Sequence, residues 1–246
     1  MQMKIYLGST ILCLAASLNS LAQTNFKPED TEFYTPKPRV VTLQDQIPND
    51  AIVLFDGSNL NNWVSRSNPE EPAGWTVENG VLTVKPKTGD IQTKQQFEDF
   101  QLHIEWKSPE AIKGEGQGRG NSGVFLQGLY EIQVLDNDNN PTYVNGQAGS
   151  LYKQRPPLVE VRASEDKWHR YDIIYKAPRF NKDGMLISKG TVTVLHNGVV
   201  VQNNTQIEGT TEYIGLPQMQ AHGAGPIILQ DHGDLVNFRN IWIRPL

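Results

Sequence analysis

Phe100-Gln101-Leu102-His103-Ile104-Glu105-Trp106-Lys107 places an apolar residue at every second position and a polar one between each pair. Successive strand side chains point to opposite faces. Phe100, Leu102, Ile104 and Trp106 therefore predict a core side, and Gln101, His103, Glu105 and Lys107 its reverse. The same signal recurs outward from this stretch, and strands are predicted over residues 52–55, 75–77, 81–84, 122–127, 130–135, 168–175, 191–196, 199–202, 227–231 and 236–243. Asn79-Gly80 and Asn197-Gly198 stand between paired runs as two-residue hairpin turns. No window of ten or more residues holds a helical period, and 21 Gly and 15 Pro argue for few, short helices. About a dozen strands in roughly 190 residues imply an all-β fold of two packed sheets.

Within that framework, residues 119–136 set polar groups at strand spacing inside apolar sequence. Glu131 and Gln133 share one face, Tyr130, Ile132 and Val134 the other, and Asp136 follows at the strand's end. A face carrying a carboxylate and an amide is either solvated or lines a site. Arg119, Asn121 and Ser122 arrive just before the preceding strand, which favours a polar-ligand site. Gln230-Asp231-His232-Gly233-Asp234 closes another strand with several donors and acceptors. His232 can be an acid, a base or a metal ligand there, or the segment is a turn bonding its own backbone. A metal held by Glu131, Asp136 and His232 is chemically possible, without the spacing of a zinc motif. His103 and Glu105 share a face that sheet stacking can bring near Glu131, or that faces solvent. Trp75, Trp106, Trp168 and Trp242 fall in predicted strands and are expected in the core, whereas Trp63 can face a ligand. Residues 109–120, 137–164 and 205–225 are too long for simple turns, and such loops commonly carry function.

Composition narrows the classes. Lys4 followed by the apolar stretch 5–18 and Ser20-Leu21-Ala22 reads as an export signal cut after Ala22, which predicts a periplasmic or extracellular protein. Residues 23–50, with Pro28, Pro36, Pro38 and Pro48 among polar residues, read as an extended leader. Residues 51–246 then form one domain. The single Cys lies in the signal, so neither disulfides nor a Cys nucleophile is expected after cleavage. Removing Lys4 from 22 basic residues leaves 21 against 27 acidic ones, a net charge of −6. That balance excludes nucleic acid as a natural partner, and only the export signal suggests membrane contact. Gly114, Gly116, Gly118 and Gly120 lack the ending of a phosphate loop, and there is no Gly-x-Ser-x-Gly elbow.

Several ordered segments together resemble one family. They are Leu54-Phe55-Asp56-Gly57-Ser58-Asn59-Leu60-Asn61-Asn62-Trp63, Arg119-Gly120-Asn121-Ser122-Gly123-Val124-Phe125-Leu126, Tyr130-Glu131-Ile132-Gln133-Val134-Leu135-Asp136, Trp168-His169-Arg170-Tyr171-Asp172-Ile173, and Leu229-Gln230-Asp231-His232-Gly233 followed by Phe238-Arg239-Asn240-Ile241. These segments resemble the 3-keto-disaccharide hydrolase domain family. The resemblance implies a jelly-roll sandwich of the concanavalin A-like lectin/glucanase type, exported, acting on glycosides whose C3 a separate sugar 3-oxidoreductase has oxidised. A C3 ketone acidifies the proton at C2, so elimination of the C1 substituent followed by hydration amounts to hydrolysis. On this resemblance Glu131 and His232 are the expected acid/base pair, and Asp136 and Asp231 orient them or hold a divalent ion. Arg119, Asn121, Gln133, Gln230 and Arg239 are expected to bind hydroxyls or the enolate, with Glu105, Gln147, Tyr152 and Lys153 as further candidates. The chain departs from the family at Ser164-Glu165-Asp166-Lys167, where a Pro-Gly-Glu-type turn is expected. A non-catalytic carbohydrate-binding module is the alternative. The enzyme predicts that Glu131, Asp136 and His232 converge in one cleft, and the module predicts exposed aromatic platforms.

Overall fold

The computed structural model describes residues 26–162 and 167–246. The export signal expected over residues 1–22, and Ser164, Glu165 and Asp166 of the departing connection, lie outside the described residues. The chain divides into Met1–Val40 and Val41–Leu246. The described part of the first unit holds one 3-10 turn, Pro28–Thr31, opened by a proline whose fixed φ suits a first turn.

The second unit is built from antiparallel strands. One sheet runs in the order Val199–Gln206, Thr191–His196, His169–Lys176, Phe100–Lys107, Asn237–Pro245, Val81–Thr83 and Thr76–Glu78, with Ile52–Phe55 also pairing along Asn237–Pro245. The other runs Tyr130–Val134, Ser122–Leu126, Ile228–Leu229, Ile91–Thr93 and Trp63–Ser65. Phe100, Leu102, Ile104, Trp106, Tyr171, Ile173 and Phe238 from the first sheet and Ile91, Val124, Leu126, Ile132, Val134 and Leu229 from the second share one buried cluster. That is a β-sandwich. Burying each such side chain is worth about 1.5–3 kcal/mol, so the alternating faces hold the two layers together.

Both Asn-Gly hairpins form, with φ of 52° and 80° at Asn79 and Gly80 and 51° and 81° at Asn197 and Gly198. Two consecutive positive φ values match the right-handed twist of the flanking strands. The stretch expected as an extended leader also holds a hairpin, Leu43–Gln44 against Ile47–Pro48, whose turn residues Asp45 and Gln46 have positive φ.

Two tryptophans depart from expectation. Trp63 is not at a ligand surface: it is 1% exposed, and its Nε1 donates to Leu54 O at 2.9 Å. Trp168 is only half buried and precedes the observed strand His169–Lys176 by one residue, with the Arg239 guanidinium 4.0 Å and Lys107 Nζ 5.4 Å from its ring centroid. An aromatic face under two cations is a surface arrangement rather than a core one.

Candidate active site

Tyr130–Val134 is the last strand of its sheet, and every residue in it is buried. Its free edge is covered by residues 149–152. Gln133 N donates to Ser150 O, Gly149 N to Gln133 O, and Tyr152 N to Glu131 O. Glu131 N donates to Thr211 Oγ1 at 2.9 Å. An unpaired edge is thereby closed, and two long loops are drawn over the sheet face that points away from the core.

On that face Glu131 sits directly opposite Phe125, and Gln133 opposite Gly123. A Cβ on Gly123 would lie 2.6 Å from Glu131 Oε1, so the carboxyl occupies space that only glycine leaves open. A recess of about 320 Å³ opens above, lined by Arg66, Asn121, Phe125, Glu131, Gln133, Tyr152, Thr211, Tyr213, Gln230 and His232. Asn121, Glu131, Gln133, Tyr152, Gln230 and His232 were all expected from sequence, and the fold brings these six to one place.

Their environments differ. Glu131 is 3% exposed, and burial, reinforced by the nearby Asp90 carboxylate, pushes its pKa up to about 8. His232 stands on the exposed turn at the rim. Tyr152 shares a 2.5 Å phenol–phenol hydrogen bond with Tyr143, and burial pushes its pKa far up, so it stays a neutral phenol. Gln133 Nε2 donates to Gln117 Oε1 at 2.7 Å, which fixes the amide. Asn121 Oδ1 and Gln230 Oε1 are buried acceptors with no hydrogen-bond donor among the described residues. Buried acceptors are costly unless something donates to them, so the recess is matched to a ligand bearing hydroxyls.

The remaining sequence-predicted residues lie elsewhere. Asp136 accepts from Arg119 Nε at 2.9 Å and from Asp138 N at 3.0 Å, so this pair ties the loop after the strand instead of lining the recess. The strand ends at Val134, so Asp136 lies beyond the face that carries Glu131 and Gln133. Asp231 accepts from Gly89 N and Gly233 N, both at 3.0 Å, and is a turn-forming carboxylate. Gln147 closes a turn through its carbonyl to Ser150 N. Lys153 is at the margin, its Nζ 5.1 Å from the ring centroid of Tyr213 and 4.5 Å from that of Tyr143.

Glu105 and Arg239 belong to the other sheet. Arg239 Nε donates to Glu105 Oε2 at 2.6 Å and Asn240 Nδ2 to Glu105 Oε1 at 2.9 Å. Burial alone would raise Glu105, but hydrogen bonds from His103, Asn240 and Arg239 outweigh it and hold the carboxylate at about 2. His103 and Glu105 line a separate recess on the outer face of that sheet with Arg170, Asp172 and Trp242. Sheet stacking does not bring them to Glu131, because alternation turns them away from the core their neighbours Leu102, Ile104 and Trp106 build.

The metal reading of Glu131, Asp136 and His232 does not fit the donor arrangement. Asp136 is engaged by Arg119, and among the described residues no group of three or more His, Cys, Asp or Glu is arranged to hold an ion. Arg66, Phe125, Thr211 and Tyr213 complete the lining without having been singled out from sequence. Thr211 and Tyr213 lie in the loop 205–225, whose length was the only signal. Arg66 carried none, standing alone between Ser65 and Ser67.

Residues 50–244 match the family described as the 3-keto-alpha-glucoside-1,2-lyase-like domain. A Bacteroides thetaiotaomicron protein named 3-keto-disaccharide hydrolase is 28% identical over 255 residues, covering 82% of this chain and 81% of its own. A crystal structure of a candidate glycosyl hydrolase from Parabacteroides distasonis aligns at 56% identity with a TM-score of 0.86, covering 91% of this chain and 98% of that one. A second candidate glycosyl hydrolase from the same organism, 21% identical with a TM-score of 0.59 over 80% of this chain and 94% of that one, shares the fold.

Proposed function

This chain belongs to the 3-keto-alpha-glucoside-1,2-lyase-like domain family, and we propose that it cleaves the glycosidic bond of 3-keto-glycosides by elimination across C1 and C2 followed by hydration. The observation that carries this reading is Glu131. Among the described residues it is the one carboxyl lining the recess, and it is held at about 8. Conventional glycoside hydrolysis uses two facing carboxyl groups. Elimination needs one strong base for the C2 proton and one acid for the leaving oxygen, which matches a buried carboxylate and an imidazole.

Depth assigns the roles. The sugar ring occupies the floor, where Asn121 Oδ1 and Gln230 Oε1 accept hydrogen bonds from its hydroxyls, and the C1 substituent points to the rim. Glu131 removes the C2 proton, and the electron pair moves onto the C3 oxygen. Collapse of that enolate re-forms the C3 carbonyl, makes the C1–C2 double bond and expels the C1 oxygen, which takes a proton from His232. Water then adds to C1, giving its proton to His232, while Glu131 returns a proton to C2. Both groups end as they began, and the balance is hydrolysis. A carboxyl whose ordinary value is 4.5 is a stronger base at about 8, at the cost of being mostly protonated at neutral pH. A binding module has no use for so costly a buried acid.

The proposal includes export through residues 1–22 and a sugar 3-oxidoreductase that supplies the ketone. Its test is incubation with an aryl 3-keto-glucoside and with the unoxidised glucoside, in D2O. Aglycone release from the oxidised substrate alone, with deuterium entering at C2, is the expected result. Equal release from both substrates, or release without C2 exchange, rejects elimination.

A further inference from the structure

An elimination through a C3 enolate puts negative charge on the C3 oxygen, and among the described residues the recess holds one guanidinium, that of Arg66. Arg66 is fixed from three directions. Its backbone N donates to Asp90 O at 3.0 Å, and its Nη1 donates to Asp90 Oδ2 at 2.8 Å. Its guanidinium stands 5.9 Å from the ring centroid of Phe125, the residue directly opposite Glu131 in the sheet register. Asp90 is itself held, because its Oδ1 accepts from Asp231 N at 2.9 Å. Asp231 in turn is pinned by Gly89 N and Gly233 N. The remaining guanidinium N–H groups make no protein hydrogen bond among the described residues. An arginine on a flexible stem, its side chain 45% exposed, thus becomes a pre-oriented cation with donors to spare in the recess that Glu131 also lines.

We propose that Arg66 stabilises the enolate oxygen in the elimination, and that Asp90, braced by the Asp231 main chain, is the positioning residue that presents it. The inference rests on the elimination reading. It gives Asp231 a purpose other than chemistry of its own: the Asp231 turn holds the brace for Arg66. It also explains why an acid lies close enough to Glu131 to help raise it. The Asp90 charge that aims the guanidinium also makes the base harder to ionise and therefore stronger.

The test separates enolisation from leaving-group departure by using 3-keto-1-deoxyglucose, which has no C1 substituent, and following C2 exchange in D2O by NMR. Arg66→Gln should lower the exchange rate and kcat on an aryl 3-keto-glucoside together, by about 100-fold, with KM changed only a few-fold. Arg66→Lys should recover part of both, and near-UV circular dichroism checks that each variant is folded. Asp90→Asn should lower kcat about tenfold and, through the charge lost near Glu131, move the rising limb of kcat/KM to lower pH; in an Arg66→Gln background the kcat loss should vanish, whereas a merely structural aspartate would cost the same in both. If the unaltered enzyme exchanges C2 and Arg66→Gln exchanges it equally fast, the Arg66 assignment is overturned and elimination stands. If the unaltered enzyme exchanges no C2 proton, both fall.

Discussion

Gly123→Ala isolates the position of the Glu131 carboxyl from almost everything else. The added Cβ would sit 2.6 Å from Glu131 Oε1 and 3.0 Å from both Cδ and Cγ, where ordinary contact begins at 3.4 Å, so the oxygen must retreat by about 0.8 Å. Gly123 does not use a left-handed backbone, and alanine therefore introduces no strain of its own. The crowding atoms are the far end of a side chain, which can swing aside without disturbing the sheet. A displacement near 1 Å at a reacting group costs about 10²-fold in rate, or about 2.7 kcal/mol of transition-state stabilisation. We expect kcat for aglycone release from an aryl 3-keto-glucoside to fall about 100-fold, while the thermal unfolding midpoint moves by no more than about 4 °C, the equivalent of about 1 kcal/mol. Undiminished kcat in a folded Gly123→Ala protein would refute the idea that this carboxyl, in this place, takes the C2 proton. Loss of the fold would refute the claim that the clash is confined to a side-chain end.

Glu131→Gln should abolish turnover and also stabilise the protein in a pH-dependent way. The unfolded chain ionises this group near 4.5 while the folded chain keeps it protonated up to about 8. The unaltered protein therefore loses stability as pH rises through that window, and the variant's advantage, followed by denaturant unfolding, should grow from pH 4.5 to 8 and then level. A constant difference across pH would contradict a raised Glu131. The kcat/KM of the unaltered enzyme should rise over the same range and flatten above about 8. Asp136→Asn breaks a largely buried ion pair with Arg119 and should cost about 1–3 kcal/mol in stability with kcat reduced less than tenfold; a kcat as low as that of Glu131→Gln would place Asp136 in the chemistry. Trp63→Phe removes the Nε1 bond to Leu54 O and leaves a void, at about 1–3 kcal/mol, with KM unchanged. A raised KM without loss of stability would return Trp63 to the ligand surface.

What the amino-acid order determined by itself was whatever depends on period and near neighbours. Alternation over Phe100–Lys107 and 130–135 marks strands and their faces, so Glu131 and Gln133 were bound to point the same way. Asn-Gly pairs set the hairpins because backbone sterics act locally. Three-residue strands such as Trp63–Ser65 and Ile91–Thr93 are too short to carry a period, and their existence depends on pairing with each other and with Ile228–Leu229. The same limit governs the site. Sequence shows which side chains can donate or accept, but the partner that each finds is a property of packing. Asp136, Asp231 and Glu105 look as reactive as Glu131 when read in line; Arg119, two glycine amides and Arg239 take them up in space. Arg66 shows the reverse, a residue with no local signal that strand pairing carries into the recess. Only the tertiary structure decided which carboxyl is stripped of water and, among the described residues, left without an ion-pair partner, because desolvation is the work of distant segments: residues 149–152 and the Thr211 loop closing over one strand edge.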